Sequence, residues 1–260
     1  MRWLGAAPTL LLGCACMVQH EVGDLELPAE PGLPSAIAPL TVSVAPGYVV
    51  DCMATLVHPL WALTTAHCFA SAPPESWVLI RDFGTSAQVR DVIVHEQAVN
   101  RDATEGGAFE VTDIVAAHDL ALVPLDHPMD SNRVAALWRP ESEAELAELE
   151  HALLRYGRHV SGEAVTETAV VTGLVPSSEL LGGEHEGELL SARGKIPRAG
   201  DSGGGGLLVL GERGAAEELR LAGVVQNAPE SGDRGVFGLV PLWVEAHLDF
   251  IDLWTAEPQP

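Results

Sequence analysis

From Leu40 onward the chain alternates short apolar runs with clusters of turn-forming residues. Thr41–Val44, Tyr48–Leu56, Trp61–Thr65, Trp77–Ile80 and Val89–Val94 make a first set of strand-like runs, and Leu120–Leu125, Val165–Val175, Gly206–Leu210, Leu219–Val225 and Val236–Val240 a second. Short strands at this spacing specify a sandwich or barrel rather than a βαβ protein. Between the sets, Glu141–Leu154 is acidic and rich in Leu and Ala, which predicts a surface helix joining two β units. Leu242–Ile251 carries apolar residues at helical spacing and predicts a terminal amphipathic helix. Residues 17–39, with Pro28, Pro31, Pro34 and Pro39 and no sustained period, read as a flexible linker.

Residues 1–16 read as a leader. Arg2 is followed by an apolar stretch from Trp3 to Gly13, short for a membrane span and suited to a secretory core. Its end, Leu11-Leu12-Gly13-Cys14, resembles the lipobox of bacterial lipoproteins, which would make Cys14 a lipidated N-terminus anchored to a membrane. The alternative is an ordinary signal peptide cut after Ala15. Either way the mature protein is expected outside the cytoplasm, secreted or in the cell envelope.

A formal charge of −23, with Lys195 the single lysine among 14 basic residues, excludes nucleic acid as a partner. The acidity is that of a solvated surface. Of four cysteines only Cys52 and Cys68 lie in the body of the chain. In an oxidising compartment they can pair, or remain two buried thiols.

Chemistry concentrates in three stretches. In Gly200-Asp201-Ser202-Gly203-Gly204 a serine sits among glycines, which suits a tight turn that exposes the hydroxyl and neighbouring N–H groups. Alone, such a run is more often just a loop. Ala66-His67-Cys68 ends an apolar run, where a histidine is usually structural; His118-Asp119-Leu120-Ala121-Leu122 is an acid opening a strand, by itself a strand cap.

Together, Leu63-Thr64-Thr65-Ala66-His67-Cys68, Asp119-Leu120-Ala121-Leu122 and Gly200-Asp201-Ser202-Gly203-Gly204 resemble, in order and spacing, the trypsin/chymotrypsin-like serine proteases. The order His, Asp, Ser separates that family from the α/β-hydrolases and subtilisins. Cys52, sixteen residues before Cys68, matches the family's bridge beside the catalytic histidine; Tyr156-Gly157, Leu221–Val225 and the final helix add weaker matches. The resemblance covers about residues 40–254.

It implies an all-β fold of two six-stranded antiparallel β-barrels with a C-terminal α-helix: barrel one over about 40–135, barrel two over about 152–241, and the helix over 242–254. It further implies a serine endopeptidase in which Ser202 is the nucleophile, His67 its base and Asp119 the residue that orients His67. The N–H groups of Gly200 and Ser202 would form the oxyanion hole, and Cys52 and Cys68 a disulfide. Such chemistry needs no metal and no cofactor, and its partner is a peptide or protein substrate. His58, His95, His118 and His127 lack the Ala-His-Cys setting and read as ordinary polar residues.

The departures from the family pattern are equally specific. Upstream of Cys52 there is no Arg or Lys followed by Ile-Val-Gly-Gly, whose freed ammonium pairs in zymogens with the aspartate before the serine, here Asp201. Asp201 therefore needs another partner, which the sequence does not name, or the oxyanion hole is incomplete. Arg198 stands where many members have a cysteine, and Gly205 replaces a proline. The substrate pocket maps to Ile196, Gln226, Asn227, Ala228 and Gly235; with Ile196 where trypsin has an acid, the residue before the cleaved bond is expected to be apolar or small, not Lys or Arg. Lys195 and Arg198 flank the pocket, either favouring acidic residues or lying solvated. The rival reading is a catalytically silent relative that binds peptide or protein in the same cleft, and a third is an esterase.

Overall fold

Strand propensity and alternate burial turn these runs into two antiparallel units in the computed structural model, which describes residues 36–45, 48–99, 114–160, 163–182, 185–211, 218–227 and 234–256. The leader with Cys14, linker residues 17–35 and Ala228 lie outside the described residues. The first unit consists of β1 (Ile37–Ala45), β2 (Tyr48–His58), β3 (Trp61–Thr64), β4 (Trp77–Ile80), β5 (Thr85–Gln88), β6 (Ile93–Val94) and β7 (Ala121–Pro124). They form one curled sheet in the order β5-β4-β1-β2-β3-β7-β6, a seven-stranded half-barrel where a six-stranded barrel was expected.

The second unit is a closed six-stranded barrel. After the short helix α1 (Glu143–Ala147) come β8 (Leu153–Val160), β9 (Glu163–Pro176), helix α2 (Ser177–Leu181), β10 (Glu188–Lys195), β11 (Gly205–Leu210), β12 (Glu218–Asn227) and β13 (Arg234–Pro241). The barrel closes in the order β10-β13-β12-β11-β8-β9. Helix α3 (Glu245–Ala256) ends the described chain.

Three boundaries differ from the sequence reading. β1 begins at Ile37, inside the expected linker, because Ile37, Ala38 and Leu40 are buried and pair with Thr55, Ala54 and Cys52 of β2. The helix expected over Glu141–Leu154 is only α1: Ser142 caps it by accepting from the Glu145 N–H, His151 takes a positive φ of 75°, and Leu154 pairs with Ala169 in the barrel. The run Val89–Val94 begins as a 3-10 turn, Val89–Asp91, and only its end, Ile93–Val94, is the short strand β6; β5 lies upstream.

Each unit has its own apolar core, and a third cluster fills the seam between them. Met53, Leu63 and Leu122 of the first unit meet Leu207, Leu221, Val224 and Val240 of the barrel and Ile251 of α3 there. Polar links cross the same seam: the Met53 N–H donates to the Ser202 carbonyl at 2.7 Å, and Leu137 bridges Leu221 in parallel. α3 follows the barrel yet packs on the first unit, its Trp254 ring 6.1 Å from that of Trp61. All three motif stretches sit at strand ends along this seam.

Candidate active site

β3 runs into a 3-10 turn, Ala66–Phe69, which carries His67 and is tied to β2 by the Cys52–Cys68 disulfide. Asp119 follows a second 3-10 turn, Ala116–His118, at the start of β7. β7 lies beside β3, with Ala121 opposite Thr64 and Leu122 opposite Leu63, so two adjacent strand ends deliver both residues to one point. His67 Nδ1 lies 2.6 Å from Asp119 Oδ2, and the His67 backbone N–H donates to Oδ1 at 2.9 Å.

Asp119 is fully buried. A carboxylate there is sustained by the donors around it, so Nδ1 of His67 carries the hydrogen and Nε2 is the basic nitrogen. Burial by itself pulls the His67 pKa down; the Asp119 charge and hydrogen bond more than offset it and leave it above the ordinary 6.5.

The serine turn is shaped by glycine. Gly203 has φ +87°, and a Cβ on it would run into the Met53 carbonyl and the Thr64 hydroxyl, so only glycine lets the turn press against β2 and β3. The N–H groups of Asp201, Gly203 and Gly204 are committed to the carbonyls of Arg198, Val225 and Asp201. Those of Gly200 and Ser202, the expected oxyanion donors, have no acceptor among the described residues.

The Ser202 hydroxyl donates to the Gln226 carbonyl oxygen at 3.2 Å, and the Gln226 side-chain Nε2 donates to Asp119 Oδ2 at 3.3 Å. With Oε1 turned that way two acceptors would face each other, so chemistry fixes the amide's orientation. His67, Asp119, Gln226 and Ser202 thus form one hydrogen-bonded chain in which the serine proton faces β12 rather than His67. Strand register turns the Gln226 side chain to Asp119, while its carbonyl faces the Ser202 hydroxyl.

Asp201, also fully buried, has its partner inside the barrel. Arg158 Nε of β8 donates to its Oδ2 at 2.8 Å, where the Arg198 N–H arrives at 2.7 Å, and the His159 N–H donates to Oδ1 at 2.6 Å. Arg158 is 3% exposed and also meets Glu167 at 3.2 Å, which in turn pairs with Lys195 Nζ at 2.5 Å. Burial opposes the Arg158 charge, but the Asp201 hydrogen bond and charge outweigh it and raise its pKa further. Along this path the buried Arg158 is shared by Asp201 and Glu167, and the exposed Lys195 meets Glu167 from the solvent side.

In the pocket region Ile196 is buried with its side chain against Gly235, where a Cβ would lie 2.8 Å from Ile196 Cδ1. Lys195 turns to Glu167. The side chain of Asn227 lies outside what the structure describes.

Comparison with known proteins places this geometry. A family model described as Trypsin matches residues 34–239. The chain belongs to the trypsin family. Among solved structures this trypsin-family chain is similar to HL collagenase, with 20% identity, TM-score 0.54 and coverage of 89% of this chain and 97% of that one. It is also similar to the Rv3671c protease from M. tuberculosis in its active form, at 15% identity and TM-score 0.53, covering 87% and 83%. These likenesses speak to the fold.

One residue of this trypsin-family site escaped the sequence reading, and another was named without its main contact. Arg158 stands in a polar run that does not announce itself as a strand, and the only signal was a cation two residues after Tyr156. Gln226 was named for the pocket, and its bond to Asp119 was not foreseen. His95 and His118, read as ordinary polar residues, belong with His247 to a packed cluster beside Asp119.

Proposed function

We propose that this trypsin-family serine protease is an endopeptidase that cuts peptide bonds through an acyl-enzyme on Ser202. One observation carries the reading: both oxygens of a buried Asp119 are committed to His67, which is what a base held in one tautomer requires. The Ser202 hydroxyl leaves the Gln226 carbonyl and gives its proton to His67 Nε2 as Oγ attacks the substrate carbonyl carbon. The resulting oxyanion takes the N–H groups of Gly200 and Ser202. His67 then protonates the departing amine, and a water activated by the same nitrogen releases the acid and restores the serine.

The internal pairing of Asp201 with Arg158 supports a site that assembles without a freed N-terminal ammonium. A buried Ile196 against Gly235, with Lys195 held by Glu167, favours an apolar or small residue before the cleaved bond, not Lys or Arg. The disulfide fits an extracytoplasmic protein, secreted or anchored through a lipidated Cys14. A second reading, peptide binding without cleavage, rests on the Ser202 hydroxyl being bonded to Gln226 rather than His67.

Fluorophosphonate labelling of the leader-less protein, beside Ser202→Ala and His67→Ala, separates the two. Labelling of the wild type that vanishes in both variants establishes an activated serine, and peptide-library cleavage then reads the pocket. A folded wild type that takes no label would favour the binding reading. Intact mass of the exported protein tests Cys14: acyl groups on a Cys14 terminus support anchoring, and a free terminus beyond Ala15 removes it.

A further inference from the structure

Beside Asp119 lie three packed imidazoles from separate parts of the chain. His118 closes the turn that carries Asp119, His95 follows β6, and His247 is in the first turn of α3. His95 and His247 are buried, His118 half-buried. His95 and His118 stack with ring centres 5.6 Å apart and 6° between planes, and His247 stands edge-on to both, at 5.2 and 5.1 Å.

Their hydrogen bonds dictate every tautomer. The Pro241 carbonyl can only accept, so His247 Nδ1, 2.5 Å away, carries a hydrogen. A neutral His247 then accepts at Nε2, and His118 Nδ1, 2.9 Å from it, must donate. The Gln97 N–H donates to His95 Nδ1 at 3.2 Å, which leaves His95 Nε2 to donate to the Ala246 carbonyl at 3.3 Å. One added proton leaves the pair bonded, since either ring can then donate to the other across the same contact. Only when His118 and His247 are both charged do two N–H groups face each other.

We propose that His118 and His247 form a clasp by which the terminal helix positions the Asp119 turn, and that charging both rings releases it. Both are positioning residues, acting on His67 through Asp119. The effect on rate rests on the peptidase reading; the clasp itself does not. Burial holds all three pKa values below the ordinary 6.5, His247 at about 4. Among the described residues, the groups acting on the cluster are its own members, which repel further charge, and Glu96, which favours charge on His95. Glu245 and Asp249 of α3 are exposed.

The test uses two variants of the leader-less chain. Gln at 247 offers one donor and one acceptor and does not titrate; Phe keeps the ring and removes both bonds. Imidazole nitrogen NMR of the wild type near pH 8 is expected to show hydrogen on Nδ1 of both His118 and His247. A hydrogen on Nε2 of His247 overturns the clasp, whether or not the protein has activity.

The second readout is the fluorophosphonate rate against pH, followed while circular dichroism stays native. Wild type should lose rate first in proportion to proton concentration, as His67 charges, and more steeply as pH nears 4. His247→Gln should keep the rate near neutrality and lose the steep limb. His247→Phe should be slower on the order of tenfold at every pH, from a misplaced Asp119. A wild type without the steep limb, or a His247→Gln variant that retains it, sinks the proposal. A wild type that never labels sinks the peptidase reading instead, and the NMR tautomers still decide the clasp.

Discussion

Gln226 is a single side chain on which the charge of Asp119 leans. Asp119 Oδ2 takes one hydrogen from His67 and a second from the Gln226 amide, so replacing Gln226 by Met, of similar volume, removes a donor to a buried anion and little else. The labelling rate should fall on the order of tenfold, the scale of one lost charge-assisted bond. Asp119 then shares its charge with fewer donors and holds a proton on His67 more tightly, so the acid limb moves to higher pH. Stability should hold, because Gln226 Oε1 is buried with no partner among the described residues, and Met deletes that atom too. An unchanged rate, or a fall in melting temperature that tracks the loss of activity, would show Gln226 to be filler. The sequence pointed to His67, Asp119 and Ser202 through the order and spacing of three stretches, since each alone had an ordinary structural reading. For Gln226 the spacing pointed to the cleft but not to the bond with Asp119. Which way a side chain points at a strand end depends on register, and register between β12 and β13 shifts after Val225.

At the level of elements, β8 carries the buried partner of Asp201. Arg158 points into the barrel and meets Asp201, while its neighbour His159 gives Asp201 a backbone N–H, so one strand supplies both kinds of donor. Arg158→Met leaves two buried carboxylates, Asp201 and Glu167, without their shared cation. Chemical denaturation should show a loss of about 3–5 kcal/mol, and labelling should disappear because the turn that aims the Gly200 and Ser202 N–H groups loses its anchor. Full labelling in Arg158→Met would mean that backbone donors alone suffice to hold Asp201. Charged positions explain why β8 and β10 were illegible in the sequence. Arg155, Arg158 and His159 break the apolar alternation of β8, as Arg193 and Lys195 do in β10, and the ion pairs that bury Arg158 are revealed only by the fold. β4 was legible because it obeys the simple rule, with Val78 and Ile80 inside and Trp77 and Leu79 outside. α1 was over-read for the opposite reason: Leu and Ala suit a helix, but Leu153 and Leu154 are worth more in the barrel wall.

Across the whole molecule, two histidines set the pH range in opposite senses. His247 is unprotonated in the fold down to about pH 4, whereas the unfolded chain takes the proton near 6.5. Its contribution to stability is therefore complete above 6.5 and is lost as pH falls towards 4, by on the order of 3 kcal/mol. His67 behaves the other way. Its pKa is raised in the fold, so its contribution is complete below 6.5 and disappears as pH rises through the folded value. Above that, repulsion within a chain of formal charge −23 opposes any further gain. Stability should thus peak near pH 6.5 and decline on both sides, whereas hydrolysis needs a neutral His67 and should reach half its maximum above 6.5. The enzyme then works on the alkaline shoulder of its own stability curve. Urea denaturation from pH 4 to 9 tests this against His247→Gln and His67→Gln. The first variant should lessen the acid slope alone, with His95 and His118 keeping their share, and the second should flatten the alkaline side alone. A single curve shared by all three proteins would mean that neither histidine is linked to folding, and the acid side would then belong to the carboxylates.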